Sequence, residues 1–138
     1  MKIINTAIEG VYIIEPQVFE DNRGYFFESY NKQKMDEAGL KYDFIQDNQS
    51  MSKYGTIRGI HFQKGDFAQA KLVRVLEGTV LDVAVDLRKG SKTFGKHVAV
   101  ELSAENKRIL GMFNPLWRTD FTKCFQQAEQ NAQTRIVS

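Results

Sequence analysis

Cysteine is nearly absent from this chain, since Cys124 is the only one among its 138 residues. A single thiol excludes an internal disulfide framework and a zinc site built from several cysteines. Such sparse use of cysteine is typical of proteins that work in a reducing compartment. We therefore expect a cytoplasmic protein that holds its fold without cross-links.

A strong excess of one charge is also missing, because 19 lysines and arginines stand against 17 aspartates and glutamates. The basic residues are scattered, with no block suited to a nucleic-acid backbone or an anionic membrane surface. No apolar run approaches the roughly 20 residues that span a bilayer. Residues 1–10 lack the pattern of an export signal. We expect a soluble protein with neither a nucleic-acid nor a membrane partner.

The residues that are present predict one all-β domain over positions 1–138, with 42% apolar content and no repeat or linker. Short β-branched and aromatic segments between turn residues favour a sandwich or barrel. One short helix is predicted at KQKMDEA (32–38), capped by Asn31 and ended at Gly39. The predicted strands are IEGVYIIEP (8–16), YFFESY (25–30), KYDFIQDN (41–48), TIRGIHFQ (56–63), KLVRVLEG (71–78), TVLDVAVDLR (79–88) and KHVAVELS (96–103).

The segment TVLDVAVDLR alternates most clearly between two faces. One face carries Leu81, Val83, Val85 and Leu87, and the other carries Asp82, Ala84, Asp86 and Arg88. Exposed strands commonly present charges to water. We expect the face with the two aspartates to be the solvated outer face.

Two neighbouring segments carry the candidate chemical groups. Lys71 alternates with Val73 and Val75, which places one ammonium at the end of an apolar face, where it could stabilise an oxyanion or simply lie at the surface. In TIRGIHFQ, strict alternation would send Arg58 and His61 to opposite faces. A bulge at the intervening glycine would bring both to one cavity, where the histidine could act in acid–base chemistry.

A metal site is not expected. His61 is followed by Phe62 and Gln63 rather than by a second ligand, and the other histidine, His97, lies far along the chain. One histidine per strand makes a poor transition-metal site.

Five segments resemble the dTDP-4-dehydrorhamnose 3,5-epimerase family, in the family's order and with closely similar spacing. The resemblance covers residues 1 to about 108. It implies a homodimeric, metal-free β jelly roll of cupin type, a double-stranded β-helix, that needs no cofactor. The implied reaction inverts carbons 3 and 5 of dTDP-4-dehydro-6-deoxy-glucose on the route to dTDP-rhamnose. The segments are EDNRGYFFESYN (20–31), FIQDNQS (44–50), TIRGIHFQ (56–63), AQAKLVRVLEGTVLDVAVDLRKGSKTFGK (68–96) and VAVELSAENKR (98–108).

The resemblance also implies roles for individual residues. His61 matches the family's proton acceptor, and Lys71 matches a lysine beside the ketone oxygen. Positions that contact the nucleotide or sugar are matched by Arg23, Glu28, Gln46, Asn48 and Arg58, and an aromatic near the thymine is matched by Phe26. In the family, the residues matched by Arg23, Phe26 and Glu28 reach into the partner subunit's site.

Residues 109–138 depart from the family's pattern, so the jelly roll is expected to be incomplete at this end. The Ala-His-Gly-Phe motif, the tyrosine proton donor and the late aspartate of the family have no counterpart there. One hypothesis is a frame shift: if residues 116–121 were encoded by the synonymous codons TTG TGG CGC ACG GAT TTT, reading two bases later would give Val-Ala-His-Gly-Phe.

Two expectations follow for this tail. Apolar residues at helical spacing predict an amphipathic helix from about Arg118 to Gln133 that covers the open core or forms an interaction surface. With the family's acid missing, the chain is either an epimerase of reduced activity or a sugar-nucleotide-binding protein without turnover.

Overall fold

A computed structural model describes residues 1–63, 68–113, 123–128 and 131–138. Within these ranges the chain forms one short helix and twelve strands. In chain order they are β1 (Lys2–Asn5), β2 (Val11–Glu15), β3 (Val18–Asp21), β4 (Gly24–Phe27), α1 (Lys32–Glu37), β5 (Asp47–Ser52), β6 (Ile57–His61), β7 (Lys71–Glu77), β8 (Thr79–Val85), β9 (His97–Ser103), β10 (Ile109–Met112), β11 (Lys123–Ala128) and β12 (Ala132–Val137).

The strands form two larger antiparallel sheets and one hairpin. The large sheet has the order β1-β2-β10-β7-β12-β5, and the small sheet has the order β6-β11-β8-β9. Strands β3 and β4 pair only with each other, and we call them the hairpin arm. Sheets whose neighbours come from distant parts of the chain are typical of a jelly roll, which confirms the predicted fold class. No helix in the described part of the chain is long and apolar enough to cross a membrane.

The main core lies between the two larger sheets. Val73 and Val75 of the large sheet pack there with Val80, Ala84 and Leu102 of the small sheet. A second apolar cluster covers the outer face of the large sheet, where Met35 of α1 packs with residues that include Ile14, Leu72 and Phe113. The large sheet is thus covered on both faces. Its inner face, toward the small sheet, is the one that carries candidate site residues.

The helix forms where the sequence predicts it. The side chain of Asn31 accepts a hydrogen bond from the backbone N–H of Lys34 at 3.0 Å, which caps the first turn. Gly39, just beyond the helix, has a φ of 83°. Glycine adopts this left-handed conformation without the steric cost that a Cβ imposes, so the helix ends here.

The expected solvated face of β8 is wrong. Asp82, Ala84 and Asp86 are 0% exposed and Arg88 is 8% exposed, whereas Leu81, Val83 and Val85 are only half-buried. The predicted alternation is present, but the face with the two aspartates is the inner face and the face with the leucines and valines is the outer one. Asp86 tolerates burial because five donor groups bind its carboxylate, three of them on Arg88.

The expected C-terminal helix is also wrong over its described part. Residues 123–128 form β11, which pairs with both β6 and β8 and fills the small sheet. Residues 132–137 form β12, which lies between β7 and β5. Residues 118–122, 129 and 130 of the expected helix lie outside the described residues. Pairing with distant strands overrides a local helical spacing, because each strand gains hydrogen bonds on two sides.

One predicted strand begins later than expected. Of the segment 41–48, only Asp47 and Asn48 belong to β5, which continues to Ser52. Residues 41–46 precede the strand, and two of them, Tyr42 and Phe44, pack against the outer cluster. Their aromatic character serves this packing, which explains why the pattern resembled a strand.

Candidate active site

A bulge in β6 places Arg58 and His61 on the same face of that strand. Arg58 pairs with Gln126 and His61 pairs with Cys124, so three steps along β6 match two steps along β11. Gly59, within the bulge, has a φ of 139°. Glycine tolerates this conformation, and the extra residue resets the alternation of the side chains. The structure therefore confirms the bulge that the sequence predicts.

This shared face is the inner face of the small sheet. Positions 124 and 126 of β11 pair on their other side with Ala84 and Asp82 of β8, both of which are fully buried. Residues directly opposite one another on antiparallel strands lie on the same side of the sheet. His61 therefore lies in the cross-strand row of Ala84, and Arg58 lies in the row of Asp82.

Lys71 lies on the inner face of the large sheet. It alternates along β7 with Val73 and Val75, both of which are in the core between the sheets. Its neighbour across the strand pair is Met112, another core residue. Lys71 itself is half-buried, so an ammonium ends an otherwise apolar face, as the sequence predicts.

Gln46 and Asn48 extend the same inner face toward the edge strand β5. Asn48 pairs with Ile136, which packs against the inter-sheet core. Gln46 exchanges two backbone hydrogen bonds with Ser138, of 2.7 and 2.8 Å. The pairing of Val137 with Leu72 places Ser138 next to Lys71 in the continuing register. Lys71 and Gln46 thus lie in one row across the sheet, on either side of Ser138.

His61 and Lys71 lie at the same end of the sandwich. Strands β7 and β8 are joined by a tight turn at Gly78, so the start of β7 and the end of β8 are at the opposite end from that turn. Lys71 begins β7, and His61 lies in the row of Ala84 near the end of β8. We call this end, with His61, Lys71, Gln46 and Asn48, the open end.

The guanidinium of Arg58 is fixed by polar groups of β5. Its Nε donates to Ser52 Oγ at 2.8 Å, and its Nη2 donates to the Met51 carbonyl at 2.9 Å. Sequence reasoning missed Ser52, although alternation from Asn48 through Ser50 places it on the same face of the strand. This contact joins the edges of the two sheets and holds the guanidinium level with Glu77, toward the Gly78 turn and away from the open end.

The remaining predicted site residues lie on the hairpin arm and just after it, away from the open end of the same chain. Arg74, on the outer face of the large sheet, lies over the ring of Phe27 at 5.7 Å. The arm is therefore on the outer side of that sheet, and the side chain of Phe26 is 70% exposed. Arg23 is 85% exposed at the turn of the arm. The structure thus brings four of the eight predicted residues together at the open end. Arg58 shares their inner face, but its guanidinium is held toward the Gly78 turn. Arg23, Phe26 and Glu28 lie apart from all of these.

Two of these three residues, Arg23 and Glu28, have ionic partners nearby. Glu28 accepts hydrogen bonds from Lys34 Nζ, at 2.6 Å, and from the side chain of Asn31. The Lys34 hydrogen bond, with that of Asn31, holds the pKa of Glu28 below its usual range. Arg23 binds Asp21 through Nη2 at 2.6 Å, and this hydrogen bond lowers the pKa of the Asp21 carboxyl. Both carboxylates are therefore charged at neutral pH.

The open end combines an exposed imidazole with an ammonium and two amides, and Arg58 adds a guanidinium farther along the same inner face. An imidazole can remove a proton from carbon, and an ammonium opposite it can stabilise the negative charge that develops on an adjacent oxygen. Guanidinium groups suit phosphate oxygens because they form paired, charge-assisted hydrogen bonds. Among the described residues, no group of histidine, cysteine, aspartate and glutamate side chains is arranged to hold a metal ion.

A family model described as dTDP-4-dehydrorhamnose 3,5-epimerase matches residues 5–135. It therefore extends beyond Arg108, where the resemblance in sequence was expected to end. The curated dTDP-4-dehydrorhamnose 3,5-epimerase of Salmonella typhimurium is 60% identical over 111 residues, which is 80% of this chain and 61% of that protein. The Escherichia coli K12 protein of the same name is 51% identical over 111 residues, or 80% of this chain and 60% of that protein. The chain spans about three fifths of the length of these relatives.

Solved structures show the same architecture. The dTDP-4-dehydrorhamnose 3,5-epimerase of Elizabethkingia anophelis NUHP1 matches with a TM-score of 0.88 and 49% identity, covering 99% of this chain and 73% of that one. An epimerase from Legionella pneumophila, solved in complex with dTDP-4-keto-L-rhamnose, matches with a TM-score of 0.87 and 40% identity, covering 99% of this chain and 70% of that one. With the family model matching nearly the whole chain, the protein belongs to the dTDP-4-dehydrorhamnose 3,5-epimerase family.

Proposed function

We propose that this chain binds a dTDP-linked 4-keto-6-deoxy sugar and removes a proton from a carbon next to the ketone, as in dTDP-rhamnose biosynthesis. The observation that carries this proposal is the bulge at Gly59, which turns His61 to the inner face at the same end of the sandwich as Lys71. The Legionella relative is solved with a sugar nucleotide of this class, which supports the choice of substrate.

His61 is the proposed base. A proton on carbon 3 or carbon 5 of the sugar is acidic because the ketone at carbon 4 accepts the electrons of the broken C–H bond. The proton moves to the imidazole, and the electron pair moves to the ketone oxygen, which forms an enolate. Return of a proton to the opposite face of the carbon completes an inversion.

Lys71 is the proposed stabiliser of the enolate oxygen. Its half-buried position beside Met112 excludes part of the water around the ammonium, which strengthens its attraction for a developing negative charge. Arg58 is the proposed ligand of the pyrophosphate, and Gln46 and Asn48 are the proposed hydrogen-bonding partners of the sugar or nucleotide.

The proton donor on the opposite face is not assigned. Residues 109–138 contain no tyrosine. Of the tyrosines elsewhere, Tyr25 contacts Lys107, and Tyr30 packs edge-on against Phe44, both away from the open end. His61 alone supports exchange of the substrate proton with solvent, because the base can return a solvent proton to the carbon it attacked.

A homodimer is part of this proposal. The hairpin arm carries Arg23 and Phe26 on the outer side of the large sheet, where they cannot complete the open end of their own chain. In a dimer these two residues and Glu28 would reach the open end of the second subunit, with Phe26 against the thymine. The low cysteine content supports work in the cytoplasm, which cell fractionation would test.

Deuterium exchange tests the proposed chemistry. The purified chain is incubated in deuterium oxide with dTDP-4-dehydro-6-deoxy-glucose, and deuterium at carbons 3 and 5 is followed by mass spectrometry. The proposal predicts incorporation well above the rate without protein. Binding of the sugar nucleotide without any incorporation would contradict it and would identify the chain as a binding protein without turnover.

A further inference from the structure

The hairpin arm stands apart from the two larger sheets. Among the described strands, its two strands pair in a ladder only with each other. A cleft of about 160 Å³ separates it from the outer face of the large sheet, bounded by Tyr25, Phe27, Arg74, Ala104 and Lys107 among others. An arm with a gap beneath it needs specific attachment points to keep a fixed direction.

Lys107 supplies one such contact. Its Nζ lies 4.1 Å from the centroid of the Tyr25 ring, within the range of a cation–π interaction. The same ammonium donates to the carbonyls of Ala104 and Glu105 at 3.3 and 3.2 Å, which fixes its position over the ring. The ring of Tyr25 in turn stacks on Phe27 with centroids 5.9 Å apart.

The backbone at Lys107 is held in an unusual conformation. Its φ is 55°, and no other non-glycine residue in the described part of the chain has a positive φ. The side chain of Asn106 enforces this turn by accepting hydrogen bonds from the backbone N–H groups of Ser103 and Arg108. A lysine in the left-handed region costs free energy that a glycine would avoid. We therefore expect the side chain of Lys107 to have a role that offsets this strain.

Alternation along β4 explains what the contact achieves. Tyr25 and Phe27 share the face that Lys107 and Arg74 hold, so Phe26 lies on the opposite face, toward solvent. Anchoring one face of the strand therefore fixes the direction in which the other face is presented.

We infer that Lys107 is a positioning residue, which holds the hairpin arm through Tyr25 so that Arg23 and Phe26 are directed to the site of a second copy of this chain. The inference rests on the proposed function, because it concerns substrate binding in the dimer. Lys107 touches neither the substrate nor the reacting atoms in this account.

The contact itself is tested without any substrate. In proton NMR spectra, the ε-methylene signals of Lys107 are expected upfield of ordinary lysine signals because they lie over the Tyr25 ring. The upfield shift should vanish in Tyr25→Leu and persist in Tyr25→Phe, which keeps an aromatic ring. Ordinary lysine shifts in the unmodified chain would overturn the inference whether or not the chain is an epimerase.

The positioning role is tested by kinetics. Exposed cation–π contacts are worth about 0.5–1 kcal/mol, which corresponds to about a twofold to fivefold change in an equilibrium. Lys107→Met should raise the KM for exchange by about this factor with kcat nearly unchanged, and Lys107→Arg should restore it. Combining Lys107→Met with Tyr25→Leu should raise KM no further than either change alone. Equal KM values in all variants, or fully additive effects, would overturn the inference.

Mixed dimers show where the effect acts. One chain carries His61→Ala and donates its arm to the site of the other chain, which alone retains His61. The KM rise should be larger when Lys107→Met is on the His61→Ala chain than when it is on the chain that retains His61. The reverse order would overturn the inference. If the unmodified chain shows no exchange at all, the proposed function fails, while the NMR result still decides the contact.

Discussion

Single residues show how buried charge is tolerated in this sandwich. Asp86 is 0% exposed, yet its carboxylate accepts hydrogen bonds from Arg88, Ser91 and Thr93. Burial alone would raise the pKa of Asp86, but these donors outweigh it and hold the pKa well below the usual range of a carboxyl. The charged form is thus the stable form throughout the neutral range.

Asp86→Asn should lower the free energy of unfolding by about 3–5 kcal/mol at pH 7, because it leaves the buried Arg88 without its counter-charge. The folded pKa is depressed, so this stabilisation is fully present above the ordinary pKa of an aspartate, near 3.8, and is lost as the pH falls further. Denaturant unfolding of the unmodified chain and of Asp86→Asn should therefore give free energies of unfolding that differ by a constant amount from pH 5 to 7. The difference should shrink below about pH 4.

Asp36→Asn is the matched control. Asp36 pairs with Lys32 at 3.0 Å on the exposed surface of α1. Such pairs contribute about 0–1 kcal/mol, so the control should change stability little. Equal losses in the two variants would contradict the account of Asp86.

Whole elements show how one strand irregularity defines the site. Gly59→Ala adds a Cβ to a backbone with a φ of 139°, which favours flattening of the bulge and return to simple alternation. Arg58 and His61 would then point to opposite faces. We expect deuterium exchange to fall by about 100-fold or more, the scale of a lost general base.

Gly90→Ala provides the control for that substitution. Gly90 also has a positive φ, of 85°, and a Cβ there would meet no atom within 4 Å. Both variants carry backbone strain, and only Gly59→Ala alters the open end. Similar exchange rates in the two variants would show that the bulge does not orient the base.

The assignment of residues 123–128 as a strand is tested by comparing the stabilities of two variants at one position. Gln127 is exposed and pairs with Ile57 on one side and Leu81 on the other. In a strand, Gln127→Val should be more stable than Gln127→Ala by about 0.5–1 kcal/mol, because a β-branched side chain packs on its cross-strand neighbours. In a helix alanine would be the more stable of the two. Thermal unfolding of both variants decides the order.

The sequence predicts elements well where the deciding interactions are local. Asn31 and Gly39 define α1 by capping, and a glycine between Arg58 and His61 indicates a bulge. Local pattern could not show which face of β8 meets the other sheet, because that depends on distant strands. The helix predicted from apolar spacing in the tail is wrong for the same reason, because β11 pairs with strands more than 35 residues earlier in the chain.

At the scale of the whole molecule, the candidate site is divided between two places. The open end holds the proposed base and the ammonium proposed to stabilise the enolate, whereas Arg23 and Phe26 lie on the hairpin arm, away from that end. The proposed closed twofold dimer would resolve this division, because each arm would then serve the other subunit.

Complementation between two inactive variants tests this arrangement. His61→Ala removes the base, and Arg23→Ala removes a contact donated by the arm. When the variants are mixed and allowed to exchange subunits, each heterodimer has one site with both residues intact. About a quarter of the unmodified exchange rate should return for equal amounts with random pairing. Recovery no greater than the sum of the separate variants would contradict a shared site.

The two histidines of the chain offer the most direct test of the central claim, that His61 abstracts the substrate proton. His97 lies exposed at the start of β9, paired with Val85 on the outer row of the small sheet, and serves as the matched control. Deuterium incorporation at carbons 3 and 5 is measured for His61→Ala and His97→Ala, with sugar-nucleotide binding checked in both. The account predicts incorporation lost in His61→Ala and retained in His97→Ala; equal incorporation in the two variants would contradict it.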